Sequence, residues 1–400
     1  MIRQKNQDRL RVLQKATRQA CDKYKESRKK ANKIIRKNKK AYLKTEIENI
    51  EQLSNQNDNR KFYQAVKKMN KGFQPRLDIC KSKDGNILGE TQEIMNRWHE
   101  HFEEVYNDNR DIETERIQYS TAEIEVEPPD LIDIEIAIKK QKNNRAPGED
   151  QIVAELIKAG GQSIVRVIHK LIVSVWNKEE MPKDWNTGLI CPIFKKGDKQ
   201  ECKNYRAITL LNIVYKILSN IIMERINQYA ENILEEFQCG FRCGRSSIEQ
   251  IFILRQVMEK CFEFNTDLHI LFVDYKQAFD SVNRVELLNI MEGYGIPKKL
   301  IRLVDMTMRD SNARITIAGN VSNALNITQG VRQGDGLSGV LFNLALNKAL
   351  EELKLKGNIL NKSKQACVYA DDIALIARNL PALQEMLTTL TETGKNVASV

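Results

Sequence analysis

The chain has 400 residues, 42% hydrophobic and 29% charged. That composition excludes a collagenous, fibrous or wholly disordered protein, and the length implies more than one core because single cores seldom grow past roughly 250–300 residues. The net charge of +10 is unevenly spread: residues 1–40 hold sixteen Lys and Arg against three acids (Asp8, Asp22 and Glu26), and the remainder is near neutral with a slight acidic excess.

No signal-peptide-like segment opens the sequence, and no run of about 18 apolar residues could span a bilayer, so a soluble intracellular protein without a membrane partner is expected. Residues 1–70 are rich in Lys, Arg, Gln, Asn and Ala and lack proline, which predicts a basic helical arm. Such a block commonly contacts nucleic-acid phosphates in a salt-sensitive way, and the plainer alternative is a solvated helix face. Residues 71–130 form a second piece: a turn at Lys83-Asp84-Gly85-Asn86, a helical pattern at Ile94, Trp98, Phe102 and Val105, and an acidic linker from Asn107 to Asp130 that ends in Pro128-Pro129.

The main body spans residues 131–400. Ser246-Ser247-Ile248-Glu249 reads as a capping box before a helix with Ile251, Leu254, Met258 and Cys261 on one face. A buried strand, Leu268 to Val273, follows and ends on Asp274. Ala313–Ile317 and Ala324–Thr328 flank Gly319-Asn320 as a hairpin. A helix from Leu337 to Leu355 comes after the Gly330–Gly336 loop, Cys367 to Ala377 places two apolar runs around Asp371-Asp372, and Pro381 to Thr393 is helical. The order is α+β, helix-rich with a small antiparallel sheet. The eight cysteines are scattered with no CxxC pair, and Cys239 with Cys243 lacks a partner pair at zinc spacing, so reduced structural thiols are expected.

Asp274, Asp371 and Asp372 are flanked by apolar residues, where unpaired acids are costly to bury, so they call for a cation or a partner, and divalent metal is the economical answer. Two hard divalent ions about 3.5–4 Å apart on such oxygens serve an in-line phosphoryl displacement. An Asp-Asp pair alone, however, is more often a simple turn.

Company changes that reading. Phe272-Val273-Asp274-Tyr275-Lys276-Gln277-Ala278-Phe279-Asp280, then Gly330-Val331-Arg332-Gln333-Gly334-Asp335, then Tyr369-Ala370-Asp371-Asp372 resemble, in order, the palm motifs of reverse transcriptases. Upstream, Arg145–Asp150, Pro192–Asp198, Asn204–Leu211 and Gln238–Ser246 look like the fingers motifs of the non-LTR retrotransposon branch, the RTE-like group being most similar. The resemblance covers Leu131 to Ala377, and the basic arm resembles the connector that follows the endonuclease in such polyproteins.

The resemblance implies the fingers and palm of a right-hand polymerase, with the thumb absent. It implies RNA-directed DNA synthesis from dNTP onto a DNA primer on an RNA template, in the nucleus or a cytoplasmic ribonucleoprotein. Two Mg²⁺ (or Mn²⁺) ions would sit on Asp274, Asp371 and Asp372, with the Tyr275 carbonyl as a possible further ligand. Arg206 would clamp the triphosphate, helped by Lys195 or Lys196. Phe279 would exclude a ribose 2′-hydroxyl, and Gln333 would lie beside the sugar, with Gly334 allowing close backbone approach.

Several positions depart from the family. Ala207 stands in place of proline, Cys243 where a basic residue is frequent, and Gly336 and Gly339 where a small residue or proline is usual, which predicts a looser loop-to-helix junction. After Asp372 the family continues through a primer-gripping hairpin and thumb, so a fragment with little nucleotide incorporation is expected. An RNA-dependent RNA polymerase is disfavoured by Ala370, where those enzymes carry glycine, and by Phe279. A non-catalytic RNA-binding remnant of a decayed element is the alternative reading.

Overall fold

The computed structural model describes residues 2–14, 17–56, 61–62, 79–107, 126–275, 277–353 and 364–397. The chain divides into two compact units, Met1–Pro75 and Arg76–Val400. The first holds two polar helices, α1 (Ile2–Gln14) and α2 (Arg18–Asn55), the latter opened by Thr17, whose hydroxyl accepts from Ala20 N at 3.3 Å. Their Lys, Arg and Gln content favours helix without providing a broad apolar face, and most described α2 side chains are exposed.

The second unit begins with a hairpin, β1 (Cys80–Lys81) and β2 (Ile87–Leu88), around the Lys83–Asn86 turn, and continues into α3 (Thr91–Tyr106). Ile94, Trp98 and Phe102 are buried on one α3 face, as their spacing requires, and Met95 and Tyr106 join them. Residues 108–125, most of the expected acidic linker, lie outside the described residues. The order then runs α4 (Leu131–Lys140), α5 (Ala154–Ala159), α6 (Gly161–Lys178), α7 (Lys183–Asn186), β3 (Thr187–Phe194), β4 (Tyr205–Leu210), α8 (Ile213–Ile233), α9 (Ser247–Glu263) and β5 (His269–Asp274). It closes with α10 (Arg284–Gly293), α11 (Lys298–Met308), β6 (Asn312–Ile317), β7 (Asn320–Val321), β8 (Leu325–Asn326), α12 (Leu337–Glu351), β9 (Lys364–Tyr369), β10 (Asp372–Ala377) and α13 (Leu380–Val397). No helix among the described residues is long and apolar enough to cross a membrane.

Two sheets carry the site. In the five-stranded one, β4-β3-β6-β7 with β8 also on β6, β3 runs antiparallel to β4 but parallel to β6, a pairing the antiparallel expectation did not contain. Its hairpin turns on Ala318 and Gly319, both at positive φ (51° and 89°), one residue before the expected Gly319-Asn320. The return strand is split, β7 pairing Thr316–Ile317 and β8 pairing Asn312–Ala313. Trp98, Phe102 and Tyr106 of α3 share a core with Ile190, Ala207, Ile315 and Ile317 of this sheet. The α3 segment is thereby packed onto β4, which carries Arg206, and onto β3, which leads into Lys195.

The second sheet is three antiparallel strands, β5-β10-β9. Ile373, Leu375, Ala377, Ala366 and Val368 face the main core formed with α4, α6, α8 and α10 to α13. Helix α12 is buried on nearly all sides, from Leu337 to Leu350, which explains its apolar sequence without strong amphipathic spacing.

The opposite sheet face is thinly covered by α9, which buries Gln250, Val257 and Cys261 and leaves Ile248, Ile251, Phe252, Met258 and Phe262 exposed. The helix starts where the sequence predicts, with Ser246 as N-cap, but no side-chain cap hydrogen bond forms, and the single buried face expected from Ile251 and Met258 is not the one buried.

Candidate active site

Backbone register brings the first two acids together. Asp274, the last residue of β5, is the direct cross-strand partner of Asp372, the first residue of β10. Opposed Cα atoms in an antiparallel pair lie about 4.5–5.5 Å apart. Asp372 is also opposite Tyr369, so Ala370 and Asp371 form the two-residue turn of the β9-β10 hairpin. Ala370 takes the left-handed conformation there, φ 57°, which costs an alanine on the order of 1 kcal/mol. Gly240 backs directly onto it: a Cβ on Gly240 would lie 2.2 Å from Ala370 N. The Gln238–Ser246 segment thus props the acidic turn, through Cys239 N to Val368 O at 2.9 Å as well.

One feature differs from the expectation of buried acids. Asp274 and Asp372 are exposed at the strand ends and Asp371 is half-buried. Partial desolvation and the like charges of Asp371 and Asp274 push the Asp372 carboxyl above the usual carboxylate range, while Lys195 and Arg206 pull it down. Lys195, just past β3, and Arg206, on β4, therefore lie within electrostatic reach of the acids. Both are exposed, as is Lys196 in the same turn. Among the described residues none of the three acids has a hydrogen-bonded or ion-paired protein partner, and no three acidic, His or Cys side chains converge closely enough to enclose an ion by themselves. Three unpaired hard oxygen donors fit divalent cations whose remaining ligands come from water and substrate phosphates, the usual arrangement for Mg²⁺.

The rest of the candidate pocket is held by the turn after β5 and the Gly330–Gly336 loop. The two zip together, with Gly330 N donating to Val282 O and Val331 N to Phe279 O, both at 2.8 Å. Phe279 is half-buried between two rings, stacked on Phe342 of α12 (4.7 Å between centroids) and edge-on to Phe241 (5.7 Å). Neither Phe241 nor Phe342 was singled out from sequence. Thr209 N, on the same strand as Arg206, donates to Gln333 O at 2.7 Å. Gly334, φ 121°, passes so close to that strand that a Cβ would lie 2.4 Å from Thr209 O. The close approach expected of this glycine is to β4.

The loop is anchored below by two charges. Asp335 accepts from Tyr215 Oη at 2.7 Å and Ser219 Oγ at 2.5 Å. Arg332 donates to Trp185 O and Asn186 O, at 3.1 and 2.8 Å, and lies over the Tyr215 ring. The glycines after it have close neighbours: a Cβ on Gly336 would lie 2.9 Å from Asn220 Oδ1, and one on Gly339 would lie 2.8 Å from the Phe241 ring. Gly339 is confined by the Phe241 ring, whereas Gly336 meets only the ends of the Asn220 and Met223 side chains.

Tyr275 does not face the pocket. Its side chain is buried in the main core with the hydroxyl unpartnered, and burial pushes that hydroxyl up to about 12, so only its backbone is available to a ligand. Asp280, absent from the sequence-level site, is buried in the same turn and accepts from Gln333 Nε2 at 3.3 Å.

The chain is 24% identical over 343 residues to a transposon TX1 protein of Xenopus laevis, covering 81% of this chain and 26% of that protein. It is 27% identical over 259 residues to a probable RNA-directed DNA polymerase from transposon X-element of Drosophila melanogaster, covering 64% and 28%. The chain therefore spans roughly a quarter of the length of these relatives. Apo telomerase of Candida tropicalis, truncated from its C-terminal domain, aligns with a TM-score of 0.40 at 14% identity, covering 61% of this chain and 60% of that one. The profile of the reverse transcriptase (RNA-dependent DNA polymerase) family matches residues 193–398, just over half of the sequence, and the chain belongs to that family.

Proposed function

We propose that this chain supplies the fingers and palm of a non-LTR retrotransposon reverse transcriptase, which transfers a deoxynucleotide from dNTP to a primer 3′-hydroxyl on an RNA template. The observation that carries the reading is the opposed pair Asp274 and Asp372, with Asp371 in the adjoining turn, within electrostatic reach of Lys195 and Arg206 from the other sheet. Acids on one side and cations on the other match a nucleoside triphosphate, whose phosphates need both metal and guanidinium neutralisation.

Asp274, Asp371 and Asp372 would hold two Mg²⁺ or Mn²⁺ ions, with the Tyr275 carbonyl as a further donor. Bound there, such ions supply charge neutralisation at the attacking and leaving oxygens. Arg206 and Lys195, with Lys196 beside it, grip the phosphates, and the guanidinium of Arg206 suits two oxygens at once. Phe279 crowds the 2′ side of the sugar, and its position is fixed by Phe342 and Phe241. Gln333 borders the sugar from the loop. Residues 1–70, a basic helical connector, add phosphate contacts to template RNA, residues 71–130 form a hairpin, helix and linker, and residues 131–400 are the polymerase body. The setting would be the nucleus or a cytoplasmic ribonucleoprotein.

The test is metal and nucleotide binding on the 400-residue chain with an RNA–DNA template-primer, read by Mn²⁺ titration and dNTP saturation. Metal binding that requires Asp371, together with dNTP binding that requires Arg206, is expected. Metal and dNTP affinities unchanged in Asp371→Asn and Arg206→Ala would overturn the assignment.

A further inference from the structure

Asp280 is a buried carboxyl that the proposed reaction does not use. It is 6% exposed and closes the turn that starts at Gln277, its own N–H donating to Gln277 O at 2.9 Å. The loop carrying Gln333 presses directly on it, since a Cβ at Gly330 would lie 2.5 Å from Asp280 O. One carboxyl oxygen, Oδ2, accepts from Gln333 Nε2 at 3.3 Å. The other, Oδ1, is buried with no protein partner. The Tyr106 hydroxyl, at the end of α3, lies against the carboxyl. No ammonium or guanidinium among the described residues pairs with Asp280. Arg284, which lies near Tyr106, is committed to Gly330 O, Met308 O and Ile327 O at 2.7 to 3.0 Å.

We propose that Asp280 is a positioning residue for the nucleotide pocket: its carboxylate fixes which end of the Gln333 amide faces the incoming sugar, and Tyr106 tunes that control from α3. The inference rests on the nucleotide-pocket reading above. An ionised carboxylate can only accept hydrogen bonds, so the NH₂ end of Gln333 must turn toward it, leaving Oε1 free to accept from a sugar hydroxyl. A neutral carboxylic acid can donate as well, and either end of the amide then satisfies it. Its charge state therefore decides whether Gln333 is preset or free to flip.

Burial pushes the Asp280 carboxyl up to about 7, and the Tyr106 hydroxyl pulls it back. The ionisable groups around it are Tyr106 from α3 and, next to Tyr106, Arg284 from α10, which in turn feels Arg332 of the loop. Gln333 is thus preset above about pH 7 and loosened below it.

The experiment measures dNTP affinity of the full chain with Mg²⁺ and a dideoxy-terminated RNA–DNA template-primer between pH 6 and 8.5, which removes chemistry from the readout. The unsubstituted chain should bind about 3- to 10-fold more weakly at low pH, what one hydrogen bond between neutral groups, here Gln333 Oε1 and the sugar hydroxyl, is worth. Ionisation of the nucleotide's own terminal phosphate is common to every variant, so the differences between curves carry the answer. Asp280→Asn should be flat and weak. Tyr106→Phe keeps the ring packing and should move the step to higher pH, because the hydroxyl that lowers the Asp280 pKa is gone; a role in packing alone would not do this. Gln333→Leu should remove the step, and adding Asp280→Asn to it should cost nothing more. If Asp280→Asn fails to fold, Tyr106→Phe and Gln333→Leu decide alone. A step that persists unchanged in Asp280→Asn or Tyr106→Phe, or losses that multiply in the double variant, would overturn the inference. Absence of saturable dNTP binding by the unsubstituted chain at any pH overturns the pocket itself and this inference with it.

Discussion

The acidic hairpin and the Gly330–Gly336 loop are built on opposite terms. The hairpin presents three carboxylates with no protein partner among the described residues, two of them exposed. The loop has its charges satisfied, Asp335 by two hydroxyls and Arg332 by two carbonyls and an aromatic face. The contrast marks where this fold leaves work for a ligand. On the reading proposed above, the groups that cations and phosphates would complete are left bare, at some cost in mutual repulsion, and the groups that hold the loop's shape are saturated in advance.

The largest test of that contrast is Asp371→Asn. Nucleotide incorporation on a template-primer, however weak at the start, should fall by at least about 100- to 1,000-fold, the scale seen when a charge-stabilising group is removed. Thermal stability should hold or rise, since a like charge leaves Asp372. A large loss of stability would place the acid in the framework and not in the site. The converse change in the loop, Arg332→Met, strips two buried carbonyls of their donor and should cost about 2–4 kcal/mol in denaturant unfolding. An effect below about 0.5 kcal/mol, ordinary for surface substitutions, would mean the loop is not pre-set by its own bonds.

Phe279→Val probes the pocket between the two. It should admit ribonucleotides by roughly 10-fold or more while costing about 1–3 kcal/mol of packing on Phe342, and dNTP/rNTP discrimination ratios check it. Deleting residues 1–40 should weaken RNA binding and flatten the dependence of log affinity on log salt, by about 0.7 for each single-strand phosphate that the arm neutralises. An unchanged slope leaves the arm as a solvated helix. The smallest effect is in pH. Because the folded-state pKa of Asp372 is raised, the fold binds that proton more tightly than the unfolded chain does, so stability without metal should rise slightly as pH falls through the upper carboxylate range. Solvent screening keeps the gain well under ~1 kcal/mol, and Asp371→Asn or saturating Mg²⁺ should reduce it.

Much of this was legible in the sequence because it depends on local patterns. Asp274 ends a strand-length apolar run and Asp371-Asp372 splits two others, so the register that opposes Asp274 and Asp372 follows from where those strands stop. The α3 face was readable for the same reason. What was hidden depends on contacts distant in sequence. Phe241 and Phe342 flank Phe279 from segments 38 residues before it and 63 after it, which no periodicity links. Asp280 gains its role only because the Gln333 loop and α3 close over it. Gly339 looks entropic in one dimension and meets the Phe241 ring in three. The α9 face was misjudged because hydrophobic spacing tells which residues could be buried and not which have something to lie against.

That α9 flank has a practical consequence. Ile248, Ile251, Phe252, Met258 and Phe262 are open to solvent along one helix, with Phe272 exposed on the neighbouring strand. Bare apolar surface of this extent is prone to self-association, and strongly hydrated salts such as sulfate intensify that tendency by being excluded from protein surfaces. The phosphate contacts proposed for the basic arm demand the reverse, since nucleic acid held in that way is released only at high ionic strength. The colloidal behaviour of the chain is thus pulled two ways by one buffer variable. Weakly excluded chloride with a mild non-ionic detergent defines the window in which it stays both dispersed and free of nucleic acid.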